Sequence, residues 1–107
     1  MNESELMDAV TGMAEIYGWA WVHFRPAMTT KGWRTPVSGS LGKGWPDLVM
    51  VRIRDSRLLF AELKTATGRE TDEQVTVGLA LAAIGHPVHV WRPADLDSGV
   101  IQKALRW

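Results

Sequence analysis

Residues 44–64 read GWPDLVMVRIRDSRLLFAELK, and this stretch decides the fold of the chain. Two apolar runs lie on either side of the short polar segment Arg54-Asp55-Ser56, a pattern typical of a β-hairpin. The pattern predicts strands over residues 47–53 and 57–63. Asp47 opens the first strand, whereas Glu62 and Lys64 close the second. The charged residues therefore lie at the open end of the hairpin, where the two strands are adjacent.

The length of the hairpin loop decides which way Asp47 points. Side chains alternate between the two faces of a strand, so Glu62 and Lys64 point the same way. A loop of two or four residues places Asp47 on that same face, and a loop of three residues places it on the other. With an even loop, two carboxylates and an ammonium group meet at the end of the sheet. That set has the composition of a metal site with a built-in cation.

Hydrophobic spacing and turn residues predict the remaining elements. The apolar residues of the N-terminal segment recur at helical spacing, whereas residues 25–44 are rich in Gly, Pro, Ser and Thr and predict a long loop. The predicted elements are a helix over 3–17, a strand over 19–24, the hairpin, a helix over 71–84, a strand over 87–91 and a helical region over 93–105. The order α-β-β-β-α-β-α predicts an α/β fold in which helices flank a mixed sheet. We expect a single domain over residues 1–107.

This layout resembles the PD-(D/E)xK nuclease superfamily, in which a proline-aspartate pair, a hairpin and a Glu-x-Lys strand follow one another. Here these are Pro46-Asp47 and Glu62-Leu63-Lys64. Within the superfamily, the chain is similar to the stand-alone VRR-NUC group of phages and bacteria. Further matches are Gly44-Trp45 before Pro46, residues 68–74 (GRETDEQ) and residues 85–91 (GHPVHVW). The resemblance runs from Glu3 to about Asp97 and implies a restriction-endonuclease-like core.

The resemblance implies hydrolysis of phosphodiester bonds with Mg²⁺, or with Mn²⁺ as its substitute. Such hard cations take oxygen ligands. Asp47 and Glu62 would supply carboxylate oxygens, and the family pattern adds the main-chain carbonyl of Leu63. Lys64 would orient the attacking water or stabilise negative charge on the phosphate. The family also uses an N-terminal glutamate as a ligand, and Glu3 fits that position. Alternatively, Glu3 is an acidic residue of the first helical turn that only interacts favourably with the helix dipole.

Gln74 has two interpretations. It resembles the family's glutamine that follows the Glu-x-Lys strand and lies near the active site. It also completes the capping-box pattern that begins at Thr71, where the side chains of the first and fourth residues bond to each other's backbone.

The charge distribution bears on nucleic-acid binding. The formal net charge is zero, but residues 16–46 contain only basic charged residues. These are Arg25, Lys31, Arg34 and Lys43. They predict a basic DNA-binding surface, unless they are solvated charges on a loop. Trp33 and Trp45 lie among these cations. They could stack on unpaired bases or wedge into a distorted junction; alternatively, they anchor the loop or form a dimer interface.

Bulk properties restrict the remaining possibilities. The chain has no cysteine, which excludes a thiolate metal site and predicts a cytoplasmic location, here in a bacterium or a phage-infected host cell. We expect neither a membrane partner nor an organic cofactor. With the resemblance, the sequence predicts a homodimeric endonuclease for branched DNA such as Holliday junctions. The alternatives are a nuclease that trims or nicks flaps or single strands, and a catalytically silent DNA-binding module.

Overall fold

The structure is a computed structural model that describes residues 1–24, 27–34 and 37–107, with only the backbone described for residues 27–29, 33 and 34. The helices are α1 (Glu3–Ile16), α2 (Asp72–Ala83), α3 (Pro93–Asp97) and α4 (Val100–Arg106). The strands are β1 (Ala20–His23), β2 (Ala27–Thr29), β3 (Gly32–Arg34), β4 (Leu48–Arg52), β5 (Arg57–Leu63) and β6 (Val88–Trp91). Within these residues, no helix is long and apolar enough to cross a membrane.

A four-stranded mixed sheet in the order β1-β4-β5-β6 forms the centre of the fold. The β1–β4 and β4–β5 pairs are antiparallel, whereas β5 and β6 are parallel. A parallel neighbour needs a crossover, and α2 provides it between β5 and β6. The predicted combination of a mixed sheet with helices is therefore confirmed.

The β4–β5 hairpin has the even loop on which the position of Asp47 depends. Leu48 pairs with Ala61 and Arg52 pairs with Arg57, so residues 53–56 form a four-residue loop. One residue further toward the open end, the same register sets Asp47 opposite Glu62. Both side chains therefore belong to one face of the sheet.

The two faces of the sheet carry separate apolar clusters. On one face, Leu48 and Met50 pack with residues of α1 and α4, including Leu6 and Ile101. On the other face, Phe60 packs with residues of α2, and Val49, Leu58 and Trp45 pack around them. Alternation along β4 and β5 places Asp47 and Glu62 on this second face, beyond the end of the α2 cluster.

The structure corrects the prediction that residues 25–44 form a loop without regular structure. Within that segment, β2 and β3 form a second, two-stranded sheet, with Thr29 paired to Gly32. Gly32 adopts a φ of +94°, a left-handed conformation that suits glycine in a tight turn. Strands of three residues are too short for a clear alternation of polar and apolar side chains, so the hairpin has no strong sequence signal.

The last helical region also differs from the prediction. It consists of two helices, α3 and α4, because Gly99 between them has a φ of +84°. A left-handed residue cannot continue an α-helix. The observed order of elements therefore contains one extra hairpin and one extra helix.

Candidate active site

Glu62 lies near the end of β5, and only 1% of its surface is exposed. Neither Oε1 nor Oε2 has a hydrogen-bonding partner among the described residues. Burial raises the pKa of Glu62 from its ordinary value of 4.5 to about 8, and the negative charge of Asp47 adds to the rise, against the opposing charge of Lys64. A buried carboxylate without a partner is unfavourable unless something satisfies its oxygens.

Asp47 lies just before β4 and is held by the neighbouring strand. Its Oδ2 accepts a hydrogen bond from the backbone N–H of Leu63 at 2.8 Å. Burial raises the pKa of Asp47, while that hydrogen bond and the charge of Lys64 oppose the rise. Asp47 therefore has a fixed carboxylate that is less easily ionised than an exposed one.

Lys64 follows the last residue of β5 and points to the same face as Glu62. Its backbone N–H donates to the carbonyl oxygen of Trp91 at 3.0 Å, which ties it to the end of β6. The next turn is also fixed, because Arg92 donates to the carbonyl oxygens of Thr65 and Gly68 at 2.7 and 2.6 Å. The side chain of Lys64 thus extends from a backbone that hydrogen bonds hold in place on both sides.

Two further acidic residues act on this pair of carboxylates. The negative charge of Glu3, an exposed residue in the first turn of α1, contributes to the raised pKa of both Asp47 and Glu62. Glu70, in the loop after Lys64, contributes to the pKa of Glu62. Sequence reasoning did not single out Glu70, because an irregular loop gives no periodicity from which to infer its position.

The cation expected at this site can be tested against the donors present. All the donors are oxygen atoms, as a hard divalent ion requires. Within the described part of the chain, no three His, Cys, Asp or Glu side chains form a ready ligand group. The carboxylates of Asp47 and Glu62 would be the ligands together with the Leu63 carbonyl, and Glu3 as a further ligand stays a prediction. The unsatisfied oxygens of Glu62 fit such an ion, because coordination would satisfy them.

Gln74 forms the predicted capping box at the start of α2. Its Oε1 accepts from the Thr71 N–H at 2.9 Å, and its own N–H donates to Thr71 Oγ1 at 3.1 Å. The side chain thus caps the N-terminus of α2, so the capping interpretation is confirmed. No contact of Gln74 with the two carboxylates is seen among the described residues.

The structure describes the four cations predicted to bind DNA to different extents. Lys43 is exposed in the turn Gly42–Gly44, and Lys31 is exposed in the turn between β2 and β3. Arg34 lies in β3 with only its backbone described, and Arg25 lies outside the described residues. The basic surface therefore stays a prediction.

Two residues to which the sequence analysis assigns no role support the position of Asp47. The backbone N–H of Phe24 donates to the Asp47 carbonyl oxygen at 2.8 Å, so Phe24 lies beside Asp47 across the sheet. Gly44 packs closely against α2: an added Cβ would lie 2.7 Å from Val77 Cγ2 and closer still to the Glu73 carbonyl oxygen. The glycine in the Gly-Trp-Pro-Asp segment is the signal that could have revealed this contact.

The end of the β4–β5 hairpin thus brings Asp47, Glu62 and Lys64 to one face, as the sequence predicts, with the charge of Glu3 acting on the two carboxylates. Gln74 is engaged elsewhere. A comparison of the chain with models of known protein families gives no match, and a comparison with curated proteins gives none either.

Proposed function

We propose that this protein is a metal-dependent endonuclease that hydrolyses phosphodiester bonds in DNA. The observation that carries the proposal is the carboxylate of Glu62, which is buried without a hydrogen-bonding partner among the described residues and lies opposite Asp47. A lysine two residues later points the same way. Paired oxygen donors beside a cation suit the hydrolysis of a phosphodiester, in which negative charge develops on the phosphate.

Each residue has a role that its surroundings support. Asp47 and Glu62 would hold Mg²⁺ together with the carbonyl of Leu63, and the bound ion would supply Lewis acidity and an activated water. The N–H of Leu63 fixes the orientation of Asp47. Lys64 would donate a hydrogen bond to the attacking water or to a phosphate oxygen. An ammonium group has three donors and no acceptor, so a role as donor suits Lys64 better than a role as base.

Branched DNA and a homodimer extend this proposal and come from the resemblance to VRR-NUC proteins. A domain of this size supports them, since 107 residues of folded chain offer little surface of their own for reading base sequence. Recognition of a DNA shape by two symmetric subunits needs less surface from each.

A cleavage assay tests the proposal. A labelled four-way junction, a linear duplex, a flap and a single strand are each incubated with Mg²⁺, with Mn²⁺ or with EDTA. We expect cleavage that requires the metal and is lost in Asp47→Asn. The matched control is Asp97→Asn, because Asp97 is an exposed carboxylate at the end of α3 and is not among the charges that act on Asp47 or Glu62.

The substrates also separate the alternatives. Paired cuts in the junction would support a dimeric resolvase, and cuts restricted to the flap or the single strand would support a trimming nuclease. Metal-independent cleavage that survives in Asp47→Asn would contradict the assigned site. DNA binding with no cleavage of any substrate would instead favour the silent binding module.

A further inference from the structure

A cavity of about 390 Å³ lies beside the candidate active site. The aromatic residues Phe24 and Trp45 contribute to its wall. The rest of the lining consists of Val37, Ser38, Ser40 and Leu41 together with two glycines. Its volume is within the range of small-ligand pockets. The cavity thus combines aromatic surface with hydroxyl and backbone groups, and the mechanism proposed above uses none of them.

The cavity is adjacent to Asp47 through two independent connections. Phe24 lies next to Asp47 across the sheet, linked by the 2.8 Å hydrogen bond between their backbones. Residues opposite each other in an antiparallel pair share a face, so the Phe24 side chain lies on the same face as the Asp47 carboxylate. Trp45 precedes Asp47 by two residues along the chain. Both aromatic residues are thus neighbours of the metal-binding carboxylate.

Trp45 is held in place from its other side. Its ring meets Phe60 edge to face, with centroids 5.5 Å apart and an interplanar angle of 84°. Phe60 belongs to the cluster under α2 and is 6% exposed. An aromatic wall that is fixed in this way loses little conformational entropy when a planar ligand stacks on it.

We propose that this cavity binds an unpaired nucleobase of the nucleotide next to the scissile phosphate. A base offers a flat π-face to Phe24 and Trp45, and its edge can exchange hydrogen bonds with Ser38, Ser40 and the glycine backbone. A base within an intact duplex is stacked and paired and cannot enter. This inference rests on the proposed function, and it narrows the substrate to nucleic acid that is unpaired at the cleavage position.

The first test measures binding without cleavage. A short single strand that carries one 2-aminopurine is titrated with protein in EDTA, and the fluorescence reports stacking of that base. We expect quenching on binding and a loss of affinity of about 10-fold or more in Phe24→Leu. Phe24→Tyr, which keeps the ring, should bind like the wild type. Trp45→Leu removes the second aromatic wall and should weaken binding in the same way, with less risk to packing than an alanine would bring.

Val22→Ala is the matched control. Val22 lies in β1, two residues before Phe24 and on the same face, but it does not line the cavity, and it is 49% exposed. This variant should bind as the wild type does. The inference is overturned if the base is not quenched, or if Phe24→Leu and Val22→Ala have equal affinity.

The second test separates this inference from the proposed function. In Mg²⁺, a strand with an abasic site is compared with its intact counterpart, and we expect the wild type to cut the intact strand faster. The Phe24→Leu variant should lose most of that difference. If the wild type cuts nothing while the 2-aminopurine is still quenched, the nuclease proposal fails and the base-binding cavity stands. Equal cutting of abasic and intact strands would overturn the cavity assignment.

Discussion

Asp47 and Glu62 lie opposite each other at the open end of the β4–β5 hairpin, but their carboxylates differ in hydrogen bonding. Asp47 accepts a hydrogen bond from the Leu63 N–H, whereas both oxygens of Glu62 are without a partner among the described residues. Two facing carboxylates with so few donors repel each other when both are ionised. The pair is therefore most stable either with Glu62 protonated or with a cation bound.

We expect the metal-free protein to lose stability as the pH rises. The folded state raises the pKa of Glu62 from 4.5 to about 8, so the folded state binds more protons than the unfolded state between those values. The free energy of unfolding then falls with pH across this window and levels off above pH 8. The full shift corresponds to roughly 5 kcal/mol, and screening by solvent reduces the expected loss to about 3 kcal/mol. Urea titrations in EDTA from pH 4 to pH 9 measure it.

Glu62→Gln provides the control for this pH dependence. The amide does not ionise, so the variant should show a flatter profile and exceed the wild type in stability at pH 8. At pH 4, below the ordinary pKa of 4.5, the advantage should disappear, because Glu62 is then mostly protonated in both states. A variant profile that falls as steeply as that of the wild type would show that other groups cause the pH dependence.

A bound divalent metal ion should restore the stability that the folded protein loses at high pH. At pH 8, Mg²⁺ or Mn²⁺ that binds only the folded state stabilises it by about 2.7 kcal/mol at a concentration of 100 times the Kd. We expect thermal melting to shift upward with metal in the wild type and in Asp97→Asn, and to stay unchanged in Asp47→Asn and Glu62→Gln. Metal binding should also release a proton, because Glu62 must ionise to coordinate. Calorimetry in buffers of different ionisation enthalpy measures that proton, and a normal melting shift in Glu62→Gln would contradict the assigned ligands.

The hairpin that carries the site could be predicted from sequence because its two strands are marked by a simple pattern and because register follows from loop length. Arg52 shows where such patterns fail. The sequence pattern predicts only that this residue belongs to a strand. In the structure its side chain is 2% exposed and donates to the carbonyl oxygens of Tyr17 and Leu105 at 3.1 and 2.9 Å. These acceptors are 35 and 53 residues away along the chain, so no local pattern can indicate them.

The cavity beside Asp47 could not be predicted from the sequence for a similar reason. The sequence predicts Phe24 as the end of an apolar strand. Phe24 lies beside Asp47 only because β1 pairs with β4 in the folded protein. Trp45 could be assigned to base stacking or to anchoring. The structure shows that it packs on Phe60 and also lines the cavity, so anchoring is observed and stacking is proposed.

Gly44 should tolerate no side chain. A Cβ there would collide with the Glu73 carbonyl and would lie 2.7 Å from Val77 Cγ2, so Gly44→Ala must separate the Gly42–Gly44 turn from α2. We expect a loss of roughly 1–3 kcal/mol in the free energy of unfolding. Cleavage should fall by more than stability explains, since Gly44 precedes Asp47 by three residues.

Gly78→Ala is the matched control for Gly44→Ala. Nothing lies within 4 Å of a Cβ at this glycine of α2, and alanine favours a helix by about 1 kcal/mol over glycine. Gly78→Ala should therefore be as stable as the wild type or more stable, with unchanged cleavage. Equal behaviour of the two variants in urea titrations would contradict the close approach at Gly44.

Variants of Gln74 can separate its capping role from a catalytic one. Gln74 and Thr71 bond to each other's backbone at the start of α2, and glutamate can replace glutamine in such a box. Gln74→Glu should therefore keep the stability of the wild type, and Gln74→Ala should lose about 1 kcal/mol. If capping is the whole role, cleavage measured well below the melting temperature stays near the wild-type rate in both variants. A fall of 10-fold or more in a Gln74→Ala protein that is still fully folded would instead place the amide in the active site.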